Sequence, residues 1–122
     1  MAKWKKAPEE LVRLFKDLMT SFPEAEMRTM FGYPVAFSRG NMVCGLFEDS
    51  MLVRLPPGER DELMEKFDTT LFEPMPGRPM KEYVLIPPAL LDDPERLVPW
   101  LSRGFAYART LPRKAPKKKG RG

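Results

Sequence analysis

Three short apolar runs separated by small polar groups constrain the fold of this chain more than any other feature. The runs cover residues 35–37, 42–47 and 51–55, and the separators are Ser-Arg-Gly-Asn and Glu-Asp-Ser. Each run is shorter than a typical helix and is bounded by residues that favour tight turns. The pattern therefore predicts an antiparallel meander with strands at about residues 34–38, 42–48 and 51–55.

The segments on either side of the meander complete a single α+β domain. Leu11, Leu14, Phe15 and Leu18 follow the spacing of one helical face, which predicts a first helix that ends near residue 21. The other predicted elements are a strand at 26–31, a helix to about 67, strands at 69–72 and 81–86, and a helix starting at 92–94. We expect a two-layer fold with one antiparallel sheet of five to six strands flanked by helices, in the order α-β-β-β-β-α-β-β-α.

Three local patterns give more detailed expectations. Side chains alternate between the two faces of a sheet along a strand. In the central strand, this alternation predicts that Met42, Cys44 and Leu46 face one side. Val43, Gly45 and Phe47 are then expected to face the other side. The three prolines and the glycine of residues 73–79 predict a rigid, exposed loop rather than another pair of strands. Pro99 predicts a kink in the last helix, or a helix that properly begins near it.

Charge divides the chain into an acidic body and basic ends. Nine of the 21 basic residues lie in residues 3–6 and 113–121, so the body has twelve basic residues against all 17 acidic ones. We expect a basic lead-in at residues 1–7, one domain at residues 8–111 and a disordered basic tail at residues 112–122. The candidates in the tail for salt-dependent contact with nucleic-acid phosphates are Arg113, Lys114, Lys117, Lys118, Lys119 and Arg121.

The residue types exclude several catalytic classes. Without histidine, the chain has no Ser-His or Cys-His nucleophile pair and no imidazole base or ligand. Cys44 is a single cysteine in an apolar run, which predicts a buried structural thiol rather than a metal ligand or nucleophile. Glu48-Asp49 and Asp92-Asp93 lack metal-site spacing and are typical of a turn and a helix cap. We therefore predict a protein with no enzymatic activity, no catalytic residues, no metal and no cofactor.

The sequence also limits the expected location. Residues 1–6 lead into an amphipathic helix instead of a secretory signal, and no run of about eighteen apolar residues occurs. A single cysteine agrees with a reducing compartment. We expect a cytoplasmic protein without membrane association.

An ordered set of short motifs extends over roughly residues 20–112. The set consists of Arg28-Thr29-Met30-Phe31-Gly32, residues 39–46, residues 52–55, Tyr83-Val84 before Pro87, and residues 91–97 with Trp100. In this order the motifs resemble the N-terminal domain of the TfoX (Sxy) family, which is associated with bacterial competence regulation. The resemblance implies a two-layer α+β fold and a regulatory type of protein, without established catalytic residues. It does not imply a competence role here, because the family's full-length regulator carries a second, helical domain.

Together these observations predict a small, non-enzymatic regulatory or binding module that acts through protein–protein contacts. Its partner is another protein, or a second copy reached through a sheet edge or a helix face. The predicted partner-binding residues are Arg28, Met30, Phe31, Gly32, Met75 and Met80. The alternative is a nucleic-acid-associated accessory protein tethered by its basic tail. An enzyme that uses Arg28, Arg54 or Glu82 in a pocket is the least favoured interpretation, and no small-molecule substrate is identified.

Overall fold

A computed structural model of the chain describes residues 6–75 and 77–113, which contain four helices and six strands. In chain order the elements are α1 (Glu9–Met19), β1 (Glu26–Met30), β2 (Tyr33–Ser38), β3 (Asn41–Phe47), β4 (Ser50–Arg54), α2 (Pro57–Phe67), β5 (Leu71–Met75), β6 (Arg78–Leu85), α3 (Pro88–Leu91) and α4 (Pro94–Thr110). The predicted α+β class is confirmed, with α3 as an additional short helix. None of these helices is long and apolar enough to cross a membrane.

The six strands form one antiparallel sheet in the order β1-β2-β3-β4-β6-β5. The first four strands follow the chain as the predicted meander. Two-residue turns join β1 to β2 at Phe31-Gly32 and β2 to β3 at Arg39-Gly40, and all four turn residues have positive φ. Such turns match the right-handed twist of the strands they connect. After α2, the chain enters the sheet at its far edge as β5, and β6 then pairs with β4.

Helices α1 and α4 pack on one face of the sheet and enclose the main core. Phe15 of α1 and Phe105 of α4 are completely buried there. Phe22, which follows α1, stacks on Phe105 with ring centres 4.6 Å apart. Gly104 lets α4 approach the sheet closely, because a Cβ atom at this position would lie 3.1 Å from the carbonyl oxygen of Arg54.

A β-bulge in β3 changes which side chains share a face. Ala36 pairs with Cys44, but the next residue of β2, Phe37, pairs with Met42, so Val43 is the extra residue. Val43 therefore lies against α4 and Cys44 lies against α1, so both side chains point to the face of the sheet that the helices cover. The prediction that Met42 and Cys44 share a face was wrong, because a bulge interrupts strict alternation.

The proline-rich stretch belongs to two paired strands, so the loop predicted at residues 73–79 was wrong. β5 and β6 pair from Leu71↔Val84 to Met75↔Arg78, with register shifts on the way. β5 is an edge strand, where a proline can direct its missing N–H group away from the sheet. Since β6 pairs with β4 only at residues 83–85, residues 72–75 and 78–80 extend past the end of β4 as a two-stranded arm.

Helix α4 runs through Pro99 instead of beginning near it. Asp93 is its N-cap residue, as the Asp92-Asp93-Pro94 pattern predicts, although the Asp93 side chain makes no capping hydrogen bond. Pro99 and Glu95 are both exposed, so water can reach the Glu95 carbonyl group that loses its helical donor. This exposure makes the internal proline tolerable.

Candidate functional site

The second face of the sheet, here called the open face, is not covered by the described helices. All four helices contribute buried residues to the core on the first face. Residues paired across an antiparallel ladder point to the same side. The pairs Arg28↔Val35, Val35↔Gly45, Gly45↔Leu52 and Leu52↔Leu85 therefore trace one row across the open face.

The open face is concave because the sheet curls towards it. The ring of Phe47 on β3 contacts Tyr33 on β2 and Phe72 on β5, with ring centres 5.4 Å and 5.2 Å apart. In a flat sheet β3 and β5 would be three strand spacings apart, or about 14 Å. The contact with Phe72 thus requires curvature, and Leu52 and Tyr83 are buried beneath it.

An apolar groove of about 280 Å³ lies on the open face between the first hairpin and the β5–β6 arm. The described residues that line it are Met30, Phe31, Tyr33, Val35, Met42, Leu46, Phe47, Leu52, Phe72 and Met80. Among them, Tyr33 alone carries a polar side-chain group. Three are methionines, whose flexible and polarizable side chains adapt to different apolar partners. The groove can therefore accept apolar groups of more than one shape.

Phe31 is presented at the margin of the groove by a strained turn. Its φ is 55° and that of Gly32 is 86°, which gives the two-residue hairpin positive φ at both positions. A bulky L-residue rarely adopts this conformation, and the left-handed backbone costs it roughly 1–2 kcal/mol. The Phe31 side chain is nevertheless 67% exposed. Strain at an exposed apolar residue points to a role in contact.

Arg28 places a positive charge at the edge of the open face. Its guanidinium carbon lies 4.5 Å from the centre of the Phe37 ring, and Nη2 lies 3.4 Å from Oε1 of Glu26. The ring and the carboxylate orient the guanidinium group, while Arg28 and Glu26 both remain largely exposed. The charge is therefore accessible beside the groove.

The structure brings together part of the predicted partner-binding set. Met30, Phe31 and Met80 line the groove, and Met80 is 37% exposed. Arg28 and Gly32 lie beside it and line a separate, shallow opening of about 390 Å³ between α1 and β1. The hairpin and the arm, which are distant in sequence, thus form two margins of one surface.

The remaining predicted residues fall largely outside the described part of the chain. These are the side chain of Met75 and the tail residues Lys114, Lys117, Lys118, Lys119 and Arg121. Arg113 is described and is exposed. Nucleic-acid binding by this segment, and the disorder predicted for it, stay predictions.

The sequence did not reveal the aromatic residues that shape the groove or the exposure of one methionine. Tyr33, Phe47 and Phe72 were not predicted as site residues, although Phe47 and Phe72 are aromatics in predicted strands and Tyr33 directly precedes one. The exposure of Met27, which is 44%, was also not predicted, and it arises because β1 lies at the sheet edge. In each case the missing information was the position of the strand in the sheet.

Two buried ionisable groups are held in their neutral forms. Cys44 is fully buried, which confirms its predicted burial, and burial raises the pKa of Cys44 far above its ordinary value. Burial also raises the pKa of Tyr83, and the positive charge of Arg54 offsets part of this effect. The Tyr83 hydroxyl group donates a hydrogen bond of 3.2 Å to the Met42 carbonyl oxygen. Within the described residues, no group of three or more Cys, Asp, Glu or His side chains is placed to hold a metal.

Arg54 and Glu82 form an ion pair at the end of β4. The Arg54 Nε atom lies 2.6 Å from Glu82 Oε1, and the Tyr107 hydroxyl group lies 3.5 Å from the other carboxylate oxygen. Arg28 lies three strands away on β1. These charges therefore do not meet in one cleft.

The sequence of the chain matches a known protein family. The family model for the TfoX N-terminal domain matches residues 17–108, which include all six strands. The chain belongs to the TfoX N-terminal domain family. No curated protein and no solved structure gives a significant match. Membership supports a regulatory type of module, and the match covers every residue that lines the groove of this TfoX N-terminal domain.

Proposed function

We propose that this TfoX N-terminal domain is a non-enzymatic regulatory module that binds a partner protein through the apolar groove on its open face. The observation that carries the proposal is the groove itself, an apolar concavity on the sheet face opposite the helix layer. Apolar surface of this kind, left uncovered on a small domain, marks interaction sites. The family supports the regulatory role at a coarser level.

The groove has room for several apolar side chains of a partner. A protein cavity of about 150 Å³ lined by apolar residues holds one benzene molecule, and this groove measures about 280 Å³. An amphipathic helix supplies such a group of side chains at i, i+3 and i+4 positions on one face. We therefore propose an amphipathic helix of the partner as the occupant, with an acidic residue on its flank near Arg28.

The lining supports binding instead of chemistry. An acid, base or nucleophile must lie within hydrogen-bond reach of the reacting group, and the described groove residues offer the Tyr33 hydroxyl group alone. The buried thiol of Cys44 lies against Met19 of α1, on the side of the sheet opposite the groove. Neither arrangement supplies a catalytic pair.

Site-specific photocrosslinking tests the proposal. A photoreactive phenylalanine analogue at position 31 or 80 should capture a partner protein in the native cells, whereas the same analogue at position 106, on the exposed side of α4, should not. The contacted segment of the partner is then synthesised as a peptide. Its affinity, measured by titration calorimetry, should fall at least about tenfold for Phe31→Ser and for Met80→Ser. Met27→Ser is the matched control, because Met27 is also exposed but lies outside the groove.

Two results would contradict the proposal. One is equal capture from position 106 and from the groove positions, which would indicate nonspecific contact. The other is a peptide whose affinity is unchanged by both groove substitutions. Each variant is first checked by circular dichroism, so that loss of binding is not confused with loss of fold.

The basic tail supports a second candidate function. Six of the last ten residues are Lys or Arg, a composition that binds phosphates without reading base sequence. We propose tail-dependent association with nucleic acid as the alternative. Deletion of residues 113–122 should abolish retention on duplex DNA and its dependence on salt. Retention that survives the deletion would exclude this candidate.

A further inference from the structure

The two edges of the sheet differ in their suitability for another strand. β5 contains Pro74 and pairs with β6 through shifted register. β1 contains no proline and pairs with β2 at five consecutive positions without a shift. Its residues are exposed along nearly the whole strand. An edge of this kind presents a row of backbone N–H and C=O groups to an added strand, so β1 is the edge that can be extended.

The pleat limits how two copies of β1 can pair. If two sheets join through antiparallel β1 strands, the two-fold axis is perpendicular to the sheet, and one residue must lie opposite its own copy. A pair centred on Glu26 would oppose two carboxylates, and a pair centred on Arg28 would oppose two guanidinium groups. In a pair centred on Thr29, no charged residue of the other copy lies opposite Glu26. Charge therefore favours a pair centred on Met27, in which Glu26 of each copy faces Arg28 of the other.

Met27 provides a second reason for this register. It is 44% exposed and borders openings on the side of the sheet where Lys16 of α1 lies. In a pair centred on Met27, the two Met27 side chains meet at the two-fold axis. The pairing thus buries an apolar side chain that the monomer leaves exposed. It also gives hydrogen-bond partners to the backbone groups at the edge of β1, and it places opposite charges across from each other.

We propose that this chain forms a two-fold symmetric homodimer by antiparallel pairing of β1 with β1 of a second copy, centred on Met27. The two six-stranded sheets then become one continuous sheet. Arg28 shares a face with Val35, which lines the groove, so both grooves open on the same face of the joined sheet. The dimer therefore presents two apolar grooves side by side. A partner with two apolar segments gains from binding both at once.

Cysteine crosslinking tests the register directly. In the proposed pair the two residues at position 27 face each other with Cα atoms about 4.5–5.5 Å apart, within the range that a disulfide bridges. Met27→Cys should form a covalent dimer on mild oxidation. Thr29→Cys is the matched control on the same side of β1, and its two copies would be about 13 Å apart along the strands. Cys44 is fully buried and does not compete.

Charge exchange tests the pairing in solution. By sedimentation equilibrium, Arg28→Glu or Glu26→Arg alone should weaken the dimer about tenfold or more, because each places like charges opposite each other twice. A mixture of the two variants should form a heterodimer that is tighter than either homodimer, and the double variant E26R/R28E should recover the affinity of the original chain. The proposal is overturned by a chain that stays monomeric up to about 1 mM, by equal crosslinking from positions 27 and 29, or by a mixture that gains no affinity.

Discussion

Substitution of Phe31 by asparagine should make the domain more stable and its groove less able to bind. Phe31 has a φ of 55° in a two-residue turn followed by Gly32. Asn-Gly is the preferred sequence for such a turn, because the asparagine side chain tolerates the left-handed backbone. Phenylalanine at this position therefore works against the stability of the hairpin.

The size of the effect follows from two opposing contributions. Relief of the left-handed conformation contributes roughly 1–2 kcal/mol in favour of the variant. Phe31 is 67% exposed, so about a third of its surface is buried, and the loss of that burial costs roughly 0.5–1 kcal/mol. At the midpoints of these two ranges, the net gain in the free energy of unfolding is roughly 0.75 kcal/mol, which corresponds to a rise in melting temperature of about 3–6 °C.

Thermal unfolding of the variant and peptide binding by calorimetry measure the two halves of this prediction. Arg39→Asn is the matched control, because Arg39 has the same φ of 55° in the turn before Gly40 and does not line the groove. Its stability gain should be smaller, since Arg39 also donates a hydrogen bond of 3.0 Å to the Arg109 carbonyl oxygen. Binding should fall about tenfold for Phe31→Asn and stay unchanged for Arg39→Asn.

The reasoning is refuted if Phe31→Asn lowers the melting temperature while Arg39→Asn raises it. Phe31 would then stabilise the domain by packing instead of straining it. Unchanged binding in Phe31→Asn would show that the exposed ring makes no contact with the partner. In that case the strain in the hairpin has no functional explanation.

Two further predictions concern the helix layer and the alkaline limit of stability. Gly104→Ala should lower the free energy of unfolding in urea by about 1–3 kcal/mol, because its Cβ atom would lie 2.9 Å from Val53 Cγ2 and 3.1 Å from a backbone oxygen. Gly58→Ala, where the added Cβ meets nothing within 4 Å, should raise it by up to about 1 kcal/mol, and equal stability of both variants would contradict the close approach of α4. Burial raises the pKa values of Cys44 and Tyr83, so the native state keeps both protons where the unfolded thiol and phenol lose theirs, at about pH 8.5 and 10. Stability should therefore fall as pH rises above about 8.5, and Cys44→Ala should flatten the first part of that fall in pH-dependent melting curves. An identical slope in this variant would rule out the thiol as a cause.

The sequence predicted the meander and the helices because their boundaries carry local signals. Gly40 and the Asp92-Asp93-Pro94 group act through backbone conformation within a few residues. The β5–β6 arm was missed for the opposite reason. Prolines exclude a central strand but not an edge strand, and whether Pro74 lies at an edge depends on the crossover that places β6 beside β4.

The proposed binding surface was predictable where exposure follows from a local feature, and not where it depends on the shape of the sheet. Phe31 lies at the end of the first predicted strand and Met80 directly follows the proline-rich stretch, and both are exposed. The face on which Phe47 lies depends instead on the register of β3, and its contact with Phe72 depends on the curl. The residue types in this chain indicate neither the bulge in β3 nor the curl of the sheet.

The floor and the margins of the groove are supported by different contacts. Its floor is the sheet, which is held by the helix layer on the other face. One margin is the β5–β6 arm, and a two-stranded ribbon is marginally stable without further support. The Phe47 ring supplies support through its edge-on contact with Phe72, and the same ring contacts Tyr33. A side chain inserted beside Phe47 would contact the ring that touches both margins, so we expect the position of the arm to depend on whether the proposed groove is occupied.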